Sequence, residues 1–68
     1  MNKAKSIVIK DALNNEVESF HGYQYDIEYV WLTDYRIKID LKSKNRTAPQ
    51  DRVFVLHCGS FNVMIERK

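Results

Sequence analysis

Cys58 is the only thiol in the chain, and His57 stands beside it. A cysteine nucleophile needs a base within hydrogen-bonding reach of its sulfur. The two residues lie in a run with strand character, and strand neighbours point to opposite faces, so His57 cannot serve Cys58. Cys58 falls on the apolar side of that run, where a cysteine acts as a small buried hydrophobe. His21 is the only other imidazole, and nothing around it in the sequence brings it to Cys58. These three residues are also the only soft metal ligands, and they show neither CxxC nor HxxxH spacing, so no metal site is expected. Paired carboxylates for acid–base chemistry would have to come from Asp26, Glu28, Asp34 or Asp40. Asp26 and Glu28 share a strand face, but a charged outer face mainly keeps a sheet soluble. Gly22 and Gly59 are the only glycines, too few for a phosphate-cradling loop. The expectation is a protein without catalytic activity or cofactor.

Binding chemistry has better support. Arg36, Lys38 and Lys42 project from one strand face, Lys44 and Arg46 continue into a loop, and Arg52 opens the next strand. Such a basic ribbon suits a phosphate backbone, although basic strands also serve as solvated faces or edge protection. Tyr23, Tyr25, Tyr29, Trp31 and Tyr35 form an aromatic row. Tyrosine and tryptophan have apolar bodies and polar tips, which suits a core, an interface anchor or a base-stacking platform. A small barrel has little room for so many rings, so at least one of Tyr23, Tyr25 and Tyr35 is expected at the surface.

The elements that must position these residues are strands. Tyr23, Tyr25, Ile27, Tyr29 and Trp31 alternate with positions that begin Gln24, Asp26 and Glu28. Tyr35, Ile37, Ile39 and Leu41 alternate with Arg36, Lys38, Asp40 and Lys42. Period-two alternation marks half-buried strands. Keeping the apolar faces together predicts Trp31 opposite Tyr35, Tyr29 opposite Ile37, Ile27 opposite Ile39 and Tyr25 opposite Leu41, around a three-residue loop, Leu32 to Asp34. That register sets Glu28 against Lys38 and, unfavourably, Asp26 against Asp40. A second hairpin is predicted at Gly59-Ser60, a type II′ turn, pairing Cys58 with Phe61, Leu56 with Val63 and Phe54 with Ile65. Its other face, with Val53, Val55, His57, Asn62, Met64 and Glu66, reads as half-buried at least. Ser43 to Asp51, with Pro49, reads as a loop.

The first third is open between two readings. Ser6 to Lys10 is a strand. Leu13, Val17 and Phe20 then share a helical face, with Asp11 as N-cap and Gly22 as stop. Alternatively Asn14-Asn15 turns a hairpin into a strand from Glu16 to His21, a reading favoured because asparagine tolerates positive φ. The fold class is therefore all-β or β-dominated α+β: a small antiparallel meander sheet or barrel of five or six strands, with one short helix at about 11–21 as the alternative.

The 68 residues make one domain. A chain of this size buries only about 60% of its unfolded surface, so a second copy or a partner would help to cover the remainder. The single cysteine and the absence of a long apolar run lead to the expectation of a cytoplasmic protein without a membrane segment. Charge is segregated. Asp11 to Tyr35 holds Asp11, Glu16, Glu18, Asp26, Glu28 and Asp34 with no Lys or Arg, whereas Arg36 to Arg52 holds the six basic residues named above against Asp40 and Asp51. Such two-sidedness suits complementary protein surfaces. The expected function is non-enzymatic protein binding, as in a phage- or mobile-element-type inhibitor or modulator, with a host protein or a second copy as partner. The site residues would be Arg36, Lys38, Lys42, Lys44, Arg46, Arg52, Tyr23, Tyr25, Tyr35, Asp26 and Glu28. The alternative is a small barrel that binds RNA or DNA through the basic 36–52 ribbon.

Overall fold

A computed structural model describes residues 1–44 and 50–68. The described chain is all-β: six antiparallel strands curl into a half-barrel. They are β1 (Asn2–Asp11), β2 (Glu16–His21), β3 (Tyr25–Thr33), β4 (Arg36–Ser43), β5 (Arg52–His57) and β6 (Phe61–Arg67).

Of the two readings for residues 11–21, the hairpin is the one formed. Asn14 carries φ of 66°, in the left-handed region that asparagine tolerates. The Asp11 carboxylate accepts the backbone N–H groups of Leu13 and Asn15, each at 2.9 Å. Asp11, the N-cap of the helical alternative, therefore braces the turn. The N–H of Asn15 is the main influence holding this carboxyl below the usual carboxylate range, with that of Leu13 and the Asn15 side chain adding to it, against a partial desolvation that raises it.

β1 organises the sheet, because it changes partner along one edge. Its Asn2–Ala4 segment pairs with β3, and Ser6 to Lys10 pairs with β2. Ala4 and Ile7 are both buried although three positions apart, so an odd residue has been absorbed between them, and the β1–β6 register shifts at the same place. At this bulge the carbonyl of Lys5 accepts the N–H of Gly22 at 2.7 Å. A Cβ on Gly22 would stand 2.8 Å from that carbonyl oxygen, so the close approach requires glycine. The other edge of β1 is taken by β6.

The strand order is therefore β2-β1-β3-β4-β5, with β6 on β1. It departs from sequential pairing at two places. β3 takes β1 rather than β2 as its ladder partner, and β6 takes β1 rather than β5. The predicted β5–β6 hairpin is thus not formed. Gly59 has no positive φ, which a type II′ turn would require at that position. Gly59-Ser60 instead carries the chain from one wall of the half-barrel to the other.

The β3–β4 hairpin forms with a register two residues from the predicted one. Ile27 faces Leu41, Tyr29 faces Ile39 and Trp31 faces Ile37. A two-residue slip leaves every side chain on its own face, so the apolar pattern cannot distinguish the two registers. The turn decides. It contains only Asp34-Tyr35, the N–H of Tyr35 donates to Thr33 Oγ1 at 3.4 Å, and a bulge at Leu32 absorbs the odd residue. Asp26 now faces Lys42 rather than Asp40, while Glu28 faces Asp40.

The core comprises Ala4, Ile7, Ile9, Phe20, Tyr25, Ile27, Tyr29, Ile37, Ile39 and Leu41. Among the described residues no polar or charged residue is buried. Phe54, Leu56, Cys58, Phe61, Val63 and Ile65 pack against this core but stay half-buried. Val53, Val55, Met64, Asn62, His57 and Glu66, expected to be half-buried at least, are exposed, because among the described residues no strand layer covers the outer faces of β5 and β6.

Candidate functional site

Two places combine geometry with chemistry. The first is the open side of the half-barrel. Among the described residues β5 pairs only with β4, and β6 only with β1, so each leaves one row of backbone N–H and C=O groups without a strand partner there. β5 meets the opposite wall at its ends. At one, Gly59-Ser60 leads into β6. At the other, Arg52 forms a 2.9 Å ion pair with Glu18 of β2, and its guanidinium lies 4.8 Å from the Phe54 ring centre and 5.6 Å from that of Phe20. Phe54 and Leu56 of β5, Cys58 just after it, and Phe61, Val63 and Ile65 of β6 pack against the core and stay partly exposed. Burial pushes the Cys58 thiol up, so it stays protonated and unreactive at neutral pH.

The outer face of β5 adds to this surface. Val53 and Val55 are 60% and 48% exposed. Lys38 lies opposite Val55, and Arg36 opposite His57. Beyond them Tyr35 packs its ring 5.2 Å from His57, and Trp31 and Leu32, just before the same turn, are exposed. Natural edges are usually blunted by lysine, proline or bulges. The described part of β5 carries none of these.

The second place is a cleft of about 670 Å³ where β1 passes from β3 to β2. The bulge at Lys5 and the Gly22–Gln24 connection hold the end of β2 apart from the start of β3. Lys3 and Lys5 of β1, Lys42 and Lys44 at the end of β4, and Lys68 stand around it. So do Asp26, Glu28 and Glu66, of which Asp26 is paired with Lys44 at 3.8 Å. His21 and Tyr23 stack on its rim at 5.4 Å with an interplanar angle of 13°. Tyr23 is 72% exposed, so its other face is open to water.

The expected site residues are thus distributed rather than assembled. Tyr23 and Tyr35 reach the surface at different places. Tyr25 is a correction: it is 4% exposed and meets Phe20 edge-on at 6.2 Å, so its ring serves the core. The basic ribbon divides. Arg36 and Lys38 stand near the exposed face of β5, whereas Lys42 and Lys44 join Asp26 and Glu28 at the cleft. Arg52 shares the inner face with its partner Leu41 and is engaged with Glu18 and two rings, which removes it from the ribbon. Arg46 lies outside the described residues. Sequence reasoning missed Lys3, Lys5 and Lys68 because they are far from the 36–52 segment in the chain, and only the pairing of β1 with β3 and β6 brings them to it.

Comparison of the chain with protein families, with curated proteins and with solved structures finds no match. Among the described residues no three His, Cys, Asp or Glu side chains are grouped as a metal would need. No helix is long and apolar enough to cross a membrane.

Proposed function

We propose that this protein is a non-enzymatic binding module that takes an extended segment of a partner protein against its open side. The observation that carries this reading is that β5 and β6 each have a ladder partner on one edge only among the described residues, and carry apolar side chains that the described chain only half covers. An added strand would satisfy the free backbone groups of an edge. Its alternate side chains would bury against Phe54, Leu56, Val63 and Ile65. Tyr35 and Arg36, of the residue types enriched at interface hot spots, stand at the His57 end of β5, across its paired edge. Occupying or masking a partner's extended segment is how a small inhibitor or modulator would act. A lone, unbridged Cys58 favours a reducing setting such as the cytoplasm for it.

The test is selection of peptides from a random library, followed by amide chemical-shift mapping. Selected sequences should alternate apolar and polar residues, and shifts should concentrate in 54–58 and 61–65. The double substitution Val53→Lys/Val55→Lys should weaken binding by at least ten-fold while leaving the fold intact, since both side chains are exposed. Peptides of helical periodicity, or shifts confined to the lysine cleft, would overturn the reading. Sedimentation of the protein alone distinguishes a second copy as occupant: concentration-dependent dimers sensitive to the same double substitution would identify it.

A further inference from the structure

The geometry points to a second, independent site: the lysine-rimmed cleft at the β1 crossover binds a nucleotide unit, its base stacked on Tyr23 and its phosphates held by Lys3, Lys5 and Lys42. This surface is separate from the open side and does not depend on it.

Three observations meet here. The first is charge. Five lysines surround the cleft against three carboxylates, Asp26, Glu28 and Glu66. The Lys44–Asp26 contact is the only ion pair within 4 Å that involves any of them among the described residues; Lys3 stands opposite Glu28 and Lys42 opposite Asp26 in the ladders without closing to that distance, so a phosphate would compete with these carboxylates for them. The second is the ring. Tyr23 projects from the β2–β3 connection, supported on one face by His21 and solvated on the other. An exposed ring held flat by a second ring gains nothing for the core. It presents a stacking surface whose orientation is already set. The third is space. A cleft of about 670 Å³, partly open to solvent, accommodates a base with its sugar and phosphate.

The chemistry selects the ligand class. A phosphate alone would leave Tyr23 unused, and an uncharged aromatic would leave the lysines unused. A nucleotide uses both. Either a free nucleotide or one unit of a single strand meets these requirements, and the measurement separates them. A duplex does not, because its bases are stacked on each other and cannot reach the ring.

The experiment is fluorescence anisotropy with labelled (dT)8, competed by thymidine monophosphate and by inorganic polyphosphate. Binding should weaken about twenty- to fifty-fold between 50 and 200 mM salt if three or four phosphates are neutralised. Tyr23→Ala, at an exposed position, should weaken it about five- to one-hundred-fold. Lys3→Gln/Lys5→Gln should flatten the logarithmic salt slope by about 1.4. Lys10→Gln, at the far end of β1 from the cleft, should leave all of this unchanged. Competition by the monophosphate at comparable nucleotide concentration assigns the site to free nucleotides, and its failure assigns it to single strands. No binding at 50 mM salt, equal affinity for polyphosphate, or indifference to Tyr23→Ala would each overturn the proposal.

Discussion

The two sides of the half-barrel spend the same kind of side chain differently. On the closed side, Ile37 and Ile39 of β4 lie between two neighbouring strands, and each is 0% exposed. On the open side, Leu56 and Val63 face the same interior, yet each sits on a strand with only one neighbour and stays half-buried. Apolar burial is roughly proportional to the area removed from water. The closed side therefore supplies most of the stability, and the open side retains apolar surface that a partner can still remove from water. A chain of this length has little stability to spare. Leaving six apolar residues half-covered is a cost that binding would offset.

The sharpest test of this contrast is a matched pair of truncations. Ile39→Ala should cost about 2–5 kcal/mol, enough to unfold much of the protein. Leu56→Ala removes the same number of side-chain carbons but should cost less than half as much, because its surroundings already admit water. Urea unfolding of the two variants measures both, and equal losses would erase the distinction between the sides.

Gly22→Ala probes how the closed side is built. The added methyl would meet the Lys5 carbonyl at 2.8 Å, and the backbones of β1 and the β2–β3 connection would have to separate. A loss of about 1–3 kcal/mol is expected, the usual cost of forcing atoms into a filled site. Thermal unfolding checks it, and a neutral result would mean that the crossover is looser than its 2.7 Å hydrogen bond indicates.

The smallest effect is expected at the Asp11 turn. Its carboxyl is held below 3.8 by the N–H groups it accepts. A depressed carboxyl contributes stability above its unfolded value, and that contribution fades as pH falls through the folded one. Wild type should therefore exceed Asp11→Asn in stability at pH 6, and the difference should shrink as pH falls through the lowered carboxyl's range. Urea midpoints across this range supply the measurement. A difference independent of pH would show that the charge of Asp11 has no part in bracing the turn.

Much of the fold was legible because it is local. Alternation set the faces of β3 and β4, and the tolerance of asparagine for positive φ favoured a turn over a helix after Asp11. The same faces foretold that Cys58 and His57 would diverge. What was not legible depends on partners remote in sequence. Two registers two residues apart satisfy one apolar pattern, and only the Thr33–Arg36 turn separates them. The Gly59-Ser60 dipeptide looks like a hairpin turn, but β6 finds its backbone partner in β1, fifty or more positions earlier in the chain.

The candidate sites divide in the same way. Sequence alone determined that Tyr23, Tyr25 and Tyr35 compete with too many rings for one small interior, so that at least one of them is exposed, and that lysines and carboxylates alternate with apolar positions. Only tertiary structure decided that Tyr25 goes inside, that Arg52 is taken up by Glu18 and two phenylalanines, and that Lys3 and Lys5 stand with Lys42. The reason is physical. Which face a strand residue takes follows from its own neighbours in the chain, whereas which residues share a cleft follows from strand pairing, and β1 settles that by exchanging β3 for β2 at Lys5.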